Sequence, residues 1–481
     1  MTSSVSTLET LVFPFAGKER RAVVGTATVA AYRESYPGGH EQGSMQPRDL
    51  SAHSEYVPGR GVEEVARDLG VAPEELIKLS SNENPHGPSP AAVEAAREAA
   101  AEAHVYPKAA HTDLTAALAD EWDVTDEQVW VSPGADGALD YLARATLAPG
   151  DTVLVPDPGF AYYPMSARYH HGQVSTYDLD ETEAFQQDAA TVLDAYDGER
   201  IVYLTSPHNP TGTEFPREQL HELLPAVEEE TLVVVDEAYG EYTEQPSAIG
   251  LVAEYDNLAV TRTFSKAYGL AGLRVGYAVV PSAWGDAYAR INTPFAANAV
   301  ALAAANAALA DDDHVERSVD SARWARDYLA ETLGVPTVDS AGNFLLAYVG
   351  PVDADAAADL LGTDSDGDSG DRTGDNGDQT GNGGDRTGDD GDRTGDGGDR
   401  TGDGGGGAAA TTTGAAVAAA AQRRGVIVRD TASFGLPEYV RISCGTREET
   451  RAAAETLNEV FADLGAAAYD PEAAGSVEVD S

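Results

Sequence analysis

Lysine is close to absent. Lys18, Lys78, Lys108 and Lys266 are the whole complement of a 481-residue chain, and one cysteine, Cys444, accompanies them. A lone cysteine rules out a disulfide within the chain and points to a reducing compartment. Long apolar runs are missing as well; no stretch reaches the length of a membrane-spanning helix. Positive charge is scarce in general, with 31 Lys and Arg against 81 Asp and Glu, a net charge of −50. That imbalance disfavours nucleic acid and anionic membranes as partners. Core material is not lacking: 42% of residues are hydrophobic and fall in periodic runs, which argues against disorder throughout. Acid without lysine is the composition of a halophilic protein, because concentrated salt screens most of the self-repulsion. An ordinary acidic cytoplasmic enzyme is the plainer alternative.

The length allows two domains. Residues 1–44 balance four basic side chains (Lys18, Arg20, Arg21, Arg33) against four acidic ones (Glu9, Glu19, Glu34, Glu41), so the remainder carries all of the −50. The expectation is that Met45 is the native start and 1–44 a non-native or disordered extension. The run after Arg20-Arg21 is short for an export signal and lacks a clear cleavage site. From 128 onward, short β-branched runs at 129–131, 151–155, 200–205, 231–235, 258–263 and 274–280 alternate with helical stretches. This pattern predicts an α/β fold with a mostly parallel sheet sandwiched by helices. The polar residues gather just past the strand ends, where such sheets bind ligands.

The expected organisation is a segment at 45–78 joining a smaller domain, a large cofactor-binding domain at 79–290, and a smaller α/β domain in two parts, 291–363 and 408–464. Helices at 294–309 and 314–333 are expected to lead from the large domain to the small one. Between the two parts, Gly-Asp-Arg-Thr-Gly-Asp recurs from Gly370, Gly384, Gly391 and Gly398. This 364–407 insert has no apolar residue to bury, so a solvated, disordered loop interrupting a helix is expected, dispensable for cofactor loading. A calcium β-roll needs a regular apolar position that the repeat lacks, and no metal site is expected. Residues 465–481 read as a mobile tail.

Lys266 lies in Thr263-Phe-Ser-Lys266-Ala-Tyr-Gly-Leu-Ala-Gly-Leu-Arg274. A lysine in a low-dielectric pocket near positive charge gives up its proton easily, and the neutral amine forms a Schiff base with an aldehyde. Thr263, Ser265 and Arg274 supply hydroxyls and a guanidinium fork suited to phosphate. Aldehyde and phosphate on one molecule describe pyridoxal 5'-phosphate; a surface lysine beside an Arg-Gly turn is the bland alternative. Asp236 ends an apolar strand, and a protonated pyridine nitrogen would pair with its buried carboxylate and strengthen the ring as an electron sink. Asn209 and Tyr239 can bond a ring hydroxyl. Ala135 and Asp136 open a helix whose free N–H groups suit a phosphate, and Phe160 offers a stacking face. Singly, Asp236 reads equally as a helix cap, Asn209 as a turn and Phe160 as core. Together, in this order and all at strand ends, they point to one site.

These motifs, with Asn82-Glu-Asn84-Pro-His-Gly-Pro, Pro207-His-Asn-Pro-Thr-Gly and Val428-Arg-Asp through Tyr439-Val-Arg441-Ile-Ser-Cys-Gly-Thr, closely resemble the pyridoxal-phosphate aminotransferases of fold type I. Within them the chain looks most like the histidinol-phosphate aminotransferase family, from about 45 to 464 apart from the insert. The resemblance implies that Lys266 binds the cofactor covalently and shuttles the proton, that Asp236 meets the ring nitrogen, and that Asn209 and Tyr239 meet the ring hydroxyl. It assigns the cofactor phosphate to Ala135, Asp136, Thr263, Ser265 and Arg274, and stacking to Phe160, where relatives often carry tyrosine. Tyr106 matches a tyrosine reaching the neighbouring subunit's cofactor, which implies a homodimer. Arg429 and Arg441 fall where the phosphate of histidinol phosphate and the carboxylate of glutamate or 2-oxoglutarate bind, with Tyr56, Asn84 and Arg60 as further candidates near the substrate. The rivals are an aromatic or broad-specificity aminotransferase, a phospho-amino-acid decarboxylase of the same fold, and a regulatory module that has lost its chemistry.

Overall fold

The computed structural model describes residues 50–51, 53, 56, 59–108, 111–350 and 413–465. The 1–44 extension, the 364–407 insert, the helix expected at 353–361 and the tail beyond 465 lie outside the described residues. Two sheets organise the part from 53 onward. The larger has seven strands: β2 (Val129–Ser132), β3 (Thr152–Asp157), β4 (Gln173–Asp178), β5 (Ile201–Thr205), β6 (Leu232–Asp236), β7 (Leu258–Thr263) and β8 (Gly276–Val279). Their order is β2-β8-β7-β6-β5-β3-β4. β8 alone runs opposite to the other six strands, which makes this the mostly parallel sheet expected.

Strand periodicity explains why these runs are apolar at every position. In β6, Val233 and Val235 enter the core on one face, while Leu232 and Val234 enter the core on the other. A strand covered on both faces cannot afford a polar side until it ends. Asp236 is the first residue free to be polar, and its position is therefore set by the length of the run. The edge strand β4 escapes sequence reading because it is half exposed and largely polar, so it shows no apolar run.

The second sheet has the order β1-β11-β12-β10-β9, from β1 (Ile77–Leu79), β9 (Thr337–Val338), β10 (Phe344–Tyr348), β11 (Val426–Asp430) and β12 (Tyr439–Ser443). β1 joins it parallel to β11, with Ile77 opposite Val426 and Leu79 opposite Val428. Three residues of strand carry too little pattern to be seen in advance. Helices Asp312–Thr332, Thr413–Arg423 and Arg447–Asp463 cover this sheet through Leu329, Val417 and Leu457.

One expectation changes. The helix Ala299–Leu309, expected to lead into the smaller domain, places Ala301, Ala304, Ala305 and Ala308 in the core of the seven-stranded sheet with Ala92 of helix Pro90–Ala101. Facing alanines let two helix axes approach closely, and this seam holds the helix to the large sheet.

Candidate active site

The carboxyl ends of the parallel strands, together with β11 and β12, enclose a cavity of about 690 Å³. Lys266, Asp236, Ala135, Asp136, Phe160, Asn209, Tyr239, Thr263, Ser265, Arg274, Tyr56, Arg429 and Arg441 all line it. Residues separated by more than 300 positions in the chain thus meet in one space.

At its base, the Asp236 side chain is 3% exposed and its hydrogen-bond donors are neutral: the Tyr163 hydroxyl at 2.8 Å and the Ala238 amide at 3.0 Å. Burial pushes this carboxyl up from 3.8 to about 6, against the pull of those donors. Burial also keeps the Tyr163 phenol protonated, so it donates. A carboxylate buried without a cation is costly, and a cationic ring nitrogen placed against Asp236 would remove that cost. Lys266 Nζ lies 5.3 Å from the centroid of the Tyr239 ring.

Along the opposite wall a phosphate cradle is already assembled. Helix Gly134–Thr146 begins at the end of β2 with no side-chain cap, so its first N–H groups point into the cavity end unsatisfied by a cap. Thr263 Oγ1 accepts from the Ser265 amide at 3.1 Å, and Arg274 Nη1 donates to Ser265 Oγ at 3.3 Å. Arg274 Nη2 meets Asp136 at 3.2 Å. Glycine is required here: a Cβ on Gly134, at φ +82°, would stand 2.4 Å from Arg274 Nη2, and one on Gly276 would stand 2.7 Å from the Ala135 nitrogen. Phe160 stands edge-on to Tyr163, centroids 5.5 Å apart. An acid for a ring nitrogen, an amine, an aromatic wall and an anion cradle are the donor set that pyridoxal phosphate needs, and the residues fit it.

The other end belongs to the smaller sheet. Arg429 and Arg441 are directly opposed in the antiparallel β11–β12 pair, so both side chains leave the same face. Like charges so placed repel one another. Arg441 is buried, donating to Asn209 Oδ1 at 2.5 Å and to the Ser80 carbonyl at 3.1 Å, with Phe344 and Phe434 beside its guanidinium. Its Nε has no hydrogen-bond partner. Burial, with Arg429 adding to it, lowers this guanidinium to about 10, still charged at neutral pH. Arg429 donates to Ser433 Oγ at 3.3 Å.

Three candidates lie elsewhere. Asn84 is engaged in tying its loop, donating to the Ala267 carbonyl at 2.7 Å and to Ser318 Oγ at 2.9 Å. Arg60 pairs with Glu64 and Asp68 on the first helix. Tyr106 is 80% exposed and stacks on Phe295 at 4.8 Å, outside its own chain's cavity. Sequence reading also missed Asn82, which donates to the Tyr239 hydroxyl at 3.0 Å, and Tyr163 itself. The only sign of Tyr163 in the sequence is its place one helical turn after Phe160.

A family model for aminotransferase class I and II matches residues 74–457. A histidinol-phosphate aminotransferase of Halorubrum lacusprofundi is 59% identical over 421 residues, covering 88% of this chain and 99% of that protein. One of Haloferax volcanii is 56% identical over 420 residues, 87% of this chain and 99% of its own. Among solved structures, the histidinol-phosphate aminotransferase from Sinorhizobium meliloti in complex with pyridoxal-5'-phosphate is similar with a TM-score of 0.65 at 25% identity, over 86% of this chain and 100% of that one. A Thermus thermophilus aspartate aminotransferase mutant gives 0.63 at 25% identity, over 83% and 94%.

Proposed function

The chain belongs to the class I and II aminotransferases, and from that premise we propose that it transfers the amino group of histidinol phosphate to 2-oxoglutarate, giving imidazole-acetol phosphate and glutamate in histidine biosynthesis. The observation that carries this substrate is the opposed pair Arg429 and Arg441 lining a cavity that also holds Lys266 and Asp236. Two guanidinium groups on one face of a cavity form a fork suited to an anion. Histidinol phosphate carries its anion as a phosphate tail and 2-oxoglutarate carries carboxylates, and a guanidinium fork accepts either.

Bound pyridoxal phosphate supplies an aldehyde that exchanges amino groups and a ring that accepts electrons from the substrate carbon. Lys266 Nζ holds the cofactor between turnovers and carries the proton off the carbon bearing the substrate nitrogen. Asp236 holds the ring nitrogen in its charged form, with the Tyr163 and Ala238 hydrogen bonds fixing the carboxylate. Thr263, Ser265, Arg274 and the amides of Ala135 and Asp136 anchor the phosphate, while Phe160 covers the ring. Tyr239 and Asn209 orient the ring hydroxyl. Asn209 also accepts from Arg441, so the cofactor end and the substrate end share a hydrogen bond. Tyr56 lines the substrate end of the cavity.

The working unit is a homodimer in this reading, with the exposed Tyr106–Phe295 stack as the aromatic surface presented to the second subunit. The acid surplus, the scarcity of lysine and the haloarchaeal relatives support activity in the salt-rich cytoplasm of a halophile. Among the described residues no helix is long and apolar enough to cross a membrane. Steady-state kinetics on a panel of amino donors tests the proposal. Saturable turnover of histidinol phosphate with 2-oxoglutarate is expected. Turnover of phenylalanine without histidinol phosphate would overturn it.

A further inference from the structure

A second chamber, about 380 Å³ in volume, opens beside the cofactor cavity. Tyr56, Phe160, Met165, Arg429 and Phe434 line both spaces and so form their common wall. One side of the chamber is a helix face. The N-cap Ala161 and Pro164, Met165 and Arg168 of the helix Tyr162–Tyr169, at the spacing i, i+3, i+4, i+7, all line it. At a rise of about 1.5 Å per residue, Arg168 stands roughly 10 Å along that face from Ala161. Met165 of this face also lines the cofactor cavity, and Arg168, three residues on, lines the chamber alone.

Arg168 is half-buried, and among the described residues its guanidinium makes no ion pair and no hydrogen bond. Arg67, Arg290 and Arg317 also lack an ion pair among the described residues, but they are exposed, whereas Arg168 is half-buried and lines a chamber. Arg144, Arg200, Arg262, Arg274 and Arg424 all have acid partners. An acid is even available in the same chamber, since Asp157 lines it, yet the two do not pair. Burial and the nearby Asp178 raise the Asp157 carboxyl above its usual value. A cation left unpaired amid surplus acid, in a chamber whose shared wall carries Arg429, is suited to an anion from outside.

We propose that this chamber is an anion-docking subsite on the way into the active site. Arg168 and Arg429 hold the phosphate or carboxylate end of the incoming substrate before, or while, its amine reaches Lys266. The proposal rests on the anionic substrates read above. Arg168 is thereby a specificity-determining residue, absent from the cofactor motifs because it lies on the last turn of a helix that contributes only its first turn to the cofactor wall. A basic residue in the last turn of a helix also favours the helix dipole, so the test must separate binding from stability.

Arg168→Gln and Arg168→Lys holoenzymes are compared with the wild type in the molar salt that suits this composition. Arg168→Gln should raise the KM for histidinol phosphate about fivefold and weaken inhibition by inorganic phosphate by a similar factor, with kcat within about twofold. Arg168→Lys should recover most of both. Unchanged KM together with unchanged phosphate inhibition overturns the subsite. So does a fall in kcat with phosphate inhibition unchanged, which marks a role in helix stability. If histidinol phosphate is not turned over at all, the substrate reading has failed separately. Titration of inorganic phosphate against the absorbance of the bound cofactor then decides the subsite, and equal affinities in wild type and Arg168→Gln would sink it.

Discussion

The two ends of the cavity are built on different principles. At the cofactor end, the polar groups come from loops of one sheet and satisfy one another locally: Ser265 with Thr263, Arg274 with Ser265 and Asp136. At the substrate end, Arg429 and Arg441 are forced together by strand register, and buried Arg441 keeps one nitrogen without a partner. The first arrangement is pre-organised around a ligand that never changes. The second sets two guanidinium groups side by side on one face, which suits a site that must take a phosphate in one half-reaction and a carboxylate in the other.

Replacing Lys266 by Ala breaks the contrast most severely. Transamination should fall by at least about a thousandfold, since the proton carrier is lost, while pyridoxal phosphate still binds through the intact cradle. Single-turnover rates and a cofactor-binding titration measure the two separately; loss of both together would show that the cradle is not pre-organised.

Arg441→Gln should be next, about a hundredfold in kcat/KM for both substrates, because a buried cation is lost and Asn209 and the Ser80 carbonyl lose its hydrogen bonds. Arg429→Gln, at a half-buried position, should cost about tenfold. Equal effects would erase the distinction between the inner and outer arginine.

Proton concentration sharpens the comparison from the cofactor side. The Asp236 carboxyl sits at about 6 in the folded chain against an ordinary 3.8. In the protein without cofactor, its contribution to stability is therefore complete below about pH 4 and is lost as pH rises through about 6. A cation on the ring nitrogen demands the ionised form instead. Cofactor affinity should then weaken as pH falls below about 6, approaching tenfold per unit. Equilibrium dialysis across pH 5–8 reads this directly, and a flat profile would argue that Asp236 does not meet the ring nitrogen. The smallest effect is expected for Phe160→Tyr, less than about threefold in cofactor affinity, since the stacking face is kept and only a hydroxyl is added. A large gain would mean that the hydroxyl, rather than the face, does the binding at that position.

Much of the cofactor end was legible because its residues sit in contiguous motifs at the ends of apolar runs. A strand buried on both faces must stay apolar until it stops, so Asp236 and Lys266 announce themselves by interrupting hydrophobic sequence. Asn84 misled for the converse reason: its motif was recognisable, but its amide is consumed by Ala267 and Ser318, and hydrogen-bond partners so distant in the chain leave no trace in sequence. The helix Ala299–Leu309 misled similarly, because a run of alanine packs on any neighbour and does not say which.

What the residues alone determined is the chemistry: a lysine among few, a carboxylate at a strand end and a hydroxyl-rich loop before an arginine are local facts. What only the tertiary structure decided is adjacency. The opposition of Arg429 and Arg441 depends on how β11 registers with β12, the Tyr163–Asp236 bond depends on a helix packing across the sheet, and the unpaired state of Arg168 depends on every acid that could have reached it and does not. Local chemistry follows from covalent neighbours, whereas which distant groups meet, and which are left without a partner, follows from burying two cores at once.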